Sequence, residues 1–254
     1  VATEAVGVEH LLPFLGIAAL AGYFQTVTGF GLGMIVMGAT SGLGIAPVAS
    51  VAAVVSLMTL INCLVALPGR LQHIDWPSVR AAGLGIVPMI VAGVLLLEYL
   101  SGSAASLLRL LLGLVILYGG ASLLLRPSRQ IALSPRRSFV LFGGLSGLLG
   151  GLFGIAGPPL IYHCYRQPIE PVRIRNLLIL LFAVTSGVRT LFVVSQGQMN
   201  TEILLLTAWS VPVIALATYL GRRFPLPFAP LAMRRIAFFV LMLIGMSLIL
   251  AELI

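Results

Sequence analysis

The sequence predicts an all-α polytopic membrane protein of two inverted-topology repeats, each a broken-helix hairpin followed by three transmembrane helices. Composition is the first observation behind this: of 254 residues, 59% are hydrophobic and 9% charged, and the mean hydropathy is +1.12. A soluble domain needs more charge than that to cover its outside. Apolar runs of about 20 residues, enough to cross a hydrocarbon core, recur from end to end, whereas a β-barrel would need short alternating segments. Self-similarity is the second observation. Gly22 and Gly147, Gly29 and Gly154, Arg109 and Arg234, and Ser122 and Ser247 each stand 125 residues apart, while Pro47 and Pro171, and Pro88 and Pro212, stand 124 apart. Glycine matches are cheap among 28 glycines; proline and arginine matches in one register indicate a duplication.

The third observation is charge placement. All 15 basic residues are arginines. Most fall in four clusters: Arg70 and Arg80; Arg126, Arg129, Arg136 and Arg137; Arg166, Arg173 and Arg175; Arg222, Arg223, Arg234 and Arg235. Such loops are expected in the cytoplasm, with Glu9, Glu98 and Glu202 on other connections and Glu252 at the end. The net charge of +8 therefore reports orientation, not a nucleic-acid partner. Loop 70–80 aligns with 195–204, which holds no arginine, and loop 222–235 aligns with 98–110, which holds Glu98 and one arginine. Equivalent loops thus lie on opposite sides of the bilayer, an architecture of many secondary transporters.

In chain order, the first repeat spans 1–125, a cytoplasmic linker 126–137, and the second repeat 138–254. Glu4 and Glu9 stand where a cleavable signal would carry a basic region. Full-length helices are expected at 48–68, 81–99, 105–125, 174–195, 202–221 and 235–252. The remaining stretches, 11–45 and 138–168, must each leave and return to one side. Two complete crossings take about 40 residues, and these stretches contain 35 and 31. Each is therefore expected to turn inside the bilayer, at "GFGLG" (29–33) and "GIAGPP" (154–159).

A turn at that depth survives only where protein or a wet cavity covers its backbone. Glycine permits the dihedrals, and Pro158 and Pro159 suit the first positions of a returning helix, as Met34 would open the matching one. Two helix N-termini would then face the molecular centre, where free N–H groups and the macrodipole attract anions. Gly29, Gly31, Gly33, Gly154 and Gly157 are the candidate site formers. Gly143, Gly147 and Gly151, spaced by four, read instead as a helix-packing face.

The paired segments "AGYFQTVTGFGLGMIV" and "SGLLGGLFGIAGPPLIY", with the connection "GRLQHIDW" at 69–76, resemble the TauE/SafE family of membrane transporters over essentially the whole chain. The resemblance implies export of sulfite, organosulfonates or related small sulfur-containing anions. Leu32 and Ala156 stand where the family's fuller glycine runs would place glycine.

Polar residues within the apolar helices supply further candidates. Arg189 lies six residues before Ser195, roughly 9 Å from that helix end; it either contacts the anion or snorkels outward. Thr185 is one turn away and would share its ligand. Asn62 either bonds a neighbouring helix or contacts substrate. Gln25 and Thr28 precede the first break and either face the cavity or satisfy loose carbonyls. His163 is a hydrogen-bonded helix residue or a proton relay; Cys63 and Cys164 read as packing. Asp75 and Trp76 read as interface anchors. No catalytic residue, metal or cofactor is expected; the partners are a small anionic substrate and the lipid bilayer of the cell membrane. The expected function is secondary transport by rocking of the two halves. The alternatives are a passive anion channel or an intramembrane enzyme using Cys164 and His163, whose side chains diverge as adjacent helical residues.

Overall fold

The computed structural model describes residues 8–69, 74–124, 130–224 and 230–253. Glu4, Arg70, Arg126 and Arg129, and the part of the linker up to residue 129, lie outside them. The described residues form ten α-helices: α1 (Val8–Thr28), α2 (Leu32–Gly42), α3 (Val48–Ala66), α4 (Trp76–Ser103), α5 (Ala105–Leu124), α6 (Arg136–Phe153), α7 (Gly157–Arg166), α8 (Pro171–Ser195), α9 (Thr201–Arg223) and α10 (Pro230–Leu253). His10–Thr28 of α1, together with α3, α4, α8 and α9, are long and apolar enough to cross a membrane; α2, α5 and α10 carry shorter apolar stretches. The perimeter is greasy: Leu64, Leu84, Leu191 and Leu243 are each more than 70% exposed. Large aliphatic side chains left open on several helices at once require lipid, not water, outside them. The protein is a multi-pass membrane protein.

Several boundaries differ from the sequence expectation, and helix takes in residues expected in loops. Arg80 lies within α4, Arg136 and Arg137 open α6, and Arg222 and Arg223 close α9, so these charges sit on helix ends rather than in loops. α4 begins at Trp76 instead of 81 because Pro77 fits the first turn, where its missing N–H costs nothing, and Ser78 donates a hydrogen bond to the Asp75 carboxylate at the cap. The far end of the linker is pinned to α7: Gln130 N donates to Arg166 O at 2.8 Å, and Ser134 N to Gln167 Oε1 at 2.9 Å.

Small residues decide which helices touch. A Cβ on Gly143, Gly147 or Gly151 of α6 would fall 2.4–2.5 Å from the carbonyl oxygens of Ala82, Ile86 and Ile90 of α4. In return, one on Gly85 or Gly93 of α4 would fall 2.0 Å from Val140 O or 2.4 Å from Leu148 O. The two backbones pack directly, side by side and parallel, as glycine faces allow in a membrane. α1 and α9 also run parallel, with Gly22 against Ile214 and Gly221 against Thr26. By contrast α3 and α8 are antiparallel, with Cys63 beside Ile179 and Ser56 beside Arg189. So are α5 and α10, with Gly113 against Ile249 and Gly120 against Leu241.

Candidate functional site

Two interruptions bring the chain together at the centre. Between α1 and α2 the backbone passes through positive φ at Gly29 (90°) and Gly31 (108°); between α6 and α7 it does so at Gly154 (68°). An L side chain at such dihedrals is strained, so glycine is what lets each helix stop and restart within four residues. The two turns abut. A Cβ on Gly33 would stand 2.9 Å from Gly154 O and 3.6 Å from Ile155 Cα. Gly154 in turn rests on α3, where its Cβ would be 3.0 Å from Ala52 O.

A cavity with about 310 Å³ of empty space, its open mouth included, lies where the turns meet. Gly31, Gly33 and Met34 line it from the first turn, and Gly154, Ile155, Ala156 and Gly157 from the second; Gln25, Thr59, Phe182 and Ser186 complete the wall. Among the described residues, no acidic side chain lines it. The first N–H of α2, from Leu32, donates to Gln25 Oε1 at 3.2 Å, and Leu160 N of α7 donates to Ser146 Oγ at 3.0 Å. The N–H groups of Gly33 and Met34, and of Ile155, Ala156 and Gly157, have no acceptor among the described residues. Neither do the hydroxyls of Thr59 and Ser186 have a hydrogen-bond partner among them. The wall therefore offers unspent donors and the positive ends of two helices, which is the chemistry that holds a small anion.

The family model described as "Sulfite exporter TauE/SafE" matches residues 14–248. The chain belongs to the TauE/SafE sulfite exporter family. A curated protein of Cupriavidus necator, "Probable sulfite/organosulfonate exporter TauE", is 61% identical over 245 residues, covering 95% of this chain and 96% of its own. No solved structure gives a significant match.

Of the family member's sequence-predicted site residues, Gln25, Gly31, Gly33, Gly154 and Gly157 line the cavity. The others lie around it. Gly29 sits against Arg175, whose Cγ would be 2.7 Å from a Cβ there. Thr28 spends its hydroxyl locally, donating to Phe24 O at 2.8 Å or Phe30 O at 2.9 Å. Asn62 is fully buried one layer behind. Its Oδ1 accepts from Gln25 Nε2 at 3.0 Å, and its Nδ2 lies 2.7 Å from Thr218 Oγ1 and 2.9 Å from Thr26 Oγ1. Asn62 thus ties α1, α3 and α9 together and fixes the Gln25 amide, whose own acceptor holds α2. Thr185 donates to Leu181 O of its own helix at 2.8 Å and packs against Gly150.

Arg189 is 1% exposed. Its Nε donates to Gly151 O at 3.1 Å and its Nη1 to Ser56 Oγ at 3.3 Å. It does not snorkel to an interface; it joins α8 to the last turn of α6 just ahead of the second turn, and among the described residues no carboxylate pairs with it. His163 lies between Phe142, stacked at 4.4 Å, and Phe139, edge-on at 4.6 Å, with ring nitrogens 3.5 Å from Ser138 Oγ and Gln167 Nε2. Cys63 and Cys164 are buried, and Cys63 Sγ lies 3.2 Å from Ile179 O.

Thr59, Phe182 and Ser186 are cavity residues that the sequence reading passed over. A signal existed. Ser56, Thr59 and Asn62 recur every three residues on apolar α3, and Ser186 and Arg189 repeat that spacing on α8. Polar positions at that interval share a helix face, and that face turns to the centre.

Proposed function

We propose that this chain is a secondary transporter that exports small sulfur-containing oxyanions, sulfite or an organosulfonate, by alternating access to the cavity between the two glycine turns. The turns are re-entrant breaks near the bilayer midplane, the arginine-bearing helix ends face the cytoplasm, and the halves are an inverted duplication. The pairing of helices supports that last point. Under the 124–125-residue offset, α3 corresponds to α8 and α5 to α10, and both pairs run antiparallel; α4 with α6 corresponds to α9 with α1, and both pairs run parallel. A two-fold axis in the membrane plane generates that pattern.

The observation that carries the reading is the meeting of Gly33 with Gly154 at a cavity lined by unpaired backbone donors and no carboxylate. The Cupriavidus necator relative's description as a probable sulfite/organosulfonate exporter supplies the substrate class. Counterflow of labelled sulfite in proteoliposomes tests it: accumulation against preloaded sulfite or organosulfonate is expected. Absence of exchange across a panel of small oxyanions refutes it, and a saturating-free conductance in bilayer recordings would assign the cavity to a passive channel instead.

A further inference from the structure

We propose that Arg175 is the first anion-binding residue on the cytoplasmic side of the transport path, receiving the oxyanion before it passes Phe182 into the cavity. The inference rests on the transport reading above. Arg175, Phe182, Ser186 and Arg189 follow one another on α8 at intervals of seven, four and three residues, which places all four on one helix face. Phe182 and Ser186 line the cavity. An arginine therefore stands at each end of the lining stripe, the Arg175 Cα about 10 Å from that of Phe182 at the usual helical rise.

Arg175 also touches the first break. Its stem lies against Gly29, and Nη1 approaches Val27 O, in the last turn of α1, at 3.5 Å. A cation at a helix C-terminus can serve as a cap alone, and Arg222 shows what a full cap looks like here: it donates to both Val65 O and Pro68 O at the end of α3. Arg175 differs. It makes one hydrogen bond at the distance limit, has the Tyr165 phenol as a further electrostatic neighbour, keeps its Nε buried without a hydrogen-bond partner, and pairs with no carboxylate among the described residues. The side chain is only half-buried, so a forked, permanently charged donor with unspent capacity remains reachable from the arginine-rich face. Such a fork matches the paired oxygens of sulfite or a sulfonate.

The test is sulfite transport in vesicles of defined orientation, measured from each face for the wild type, Arg175→Gln and Arg175→Lys. In Arg175→Gln, KM for sulfite presented at the arginine-rich face is expected to rise about tenfold, the scale of a lost hydrogen bond to a charged group, with KM from the opposite face unchanged. Arg175→Lys, which keeps the charge but loses the fork, should restore part of that affinity. A simple capping role would alter stability or slow transport from both faces, so an unchanged KM, or an equal rise at both faces, overturns the inference. Should Arg175→Gln not fold, Arg175→Lys carries the test: a few-fold rise from the one face supports the assignment and no rise overturns it. Wild-type protein that moves no sulfite from either face overturns the transport reading itself, a result distinct from either.

Discussion

Replacing Gly85 by alanine adds one carbon, which on the present backbone would stand 2.0 Å from Val140 O and 2.7 Å from Gly144 N. Both are main-chain atoms, so no rotamer change relieves the contact, and ordinary carbon contacts begin at 3.4 Å. α4 and α6 must therefore part by about 1 Å at this level, and a gap of that size forfeits roughly a quarter to a half of each dispersion contact across it. Overpacking of this kind costs about 1–3 kcal/mol. Against it stands the gain of about 1 kcal/mol that alanine brings over glycine inside a helix. Gly83 separates the two terms: it lies two residues earlier in the same helix, and a Cβ there meets nothing within 4 Å. Gly83→Ala should keep the gain and escape the penalty.

The difference between the two variants is thus expected to be about 1–3 kcal/mol in favour of Gly83→Ala, since the propensity term cancels. Thermal unfolding in detergent measures it as a melting temperature several degrees lower for Gly85→Ala. Sulfite transport should fall with it, because α6 leads directly into the second break and its displacement is expected to disturb the contact of Gly154 with Gly33. A Gly85→Ala protein that melts and transports like Gly83→Ala would refute the backbone-to-backbone packing and the coupling drawn from it.

Ser186→Ala and Thr59→Val remove hydroxyls that no group among the described residues uses, so each should raise the sulfite KM by about three- to tenfold, the scale of one hydrogen bond, with no loss of melting temperature. Unchanged KM in both would place the anion elsewhere. Arg189→Gln removes a fully buried guanidinium beside the cavity and is expected to lower anion affinity about tenfold or more, read by equilibrium binding of labelled sulfite; unaltered binding with lowered stability would reduce Arg189 to a brace between α6, α3 and α8.

Much of the fold was legible because a bilayer imposes length. Runs of about 20 apolar residues mark crossings, and the two stretches too short for a pair of crossings carry the glycines at which α1 and α6 stop. What the sequence withheld is relational. Gly143, Gly147 and Gly151 announce a packing face through their spacing, but nothing in "AAGLGIVPMIVAG" says that Gly85 and Gly93 are the surface they meet, or that Gly83 faces away. Asn62 reads as either a helix-to-helix hydrogen bond or a substrate contact; only coordinates show its hydrogen bonds made to Gln25, Thr26 and Thr218. Arg175 hid among loop arginines for the opposite reason. Its charge reads as a mark of orientation, although one turn of helix separates it from the exposed Pro171 and carries it against Gly29.

The packing also bears on which bodies would rock in the proposed alternating access. If the halves 1–125 and 138–254 moved as wholes, α4 would have to slide on α6, yet their carbonyl oxygens and glycine α-carbons interlock along three turns. Close-packed backbone transmits strain rather than yielding to it, so in the proposed alternating access α6 is expected to travel with α4, and the moving units would exchange helices between the halves. A cross-link distinguishes the two schemes. A Cβ on Gly144 would lie 3.5 Å from Met89 Cγ, close to where a cysteine sulfur at 89 would stand, so Met89→Cys with Gly144→Cys is the pair expected to cross-link this seam. Oxidised and reduced forms of that variant are expected to exchange sulfite at the same rate, because the bond joins parts that never separate. Loss of exchange on oxidation, recovered on reduction, would show that α4 and α6 do move apart and that the sequence halves are the moving bodies after all.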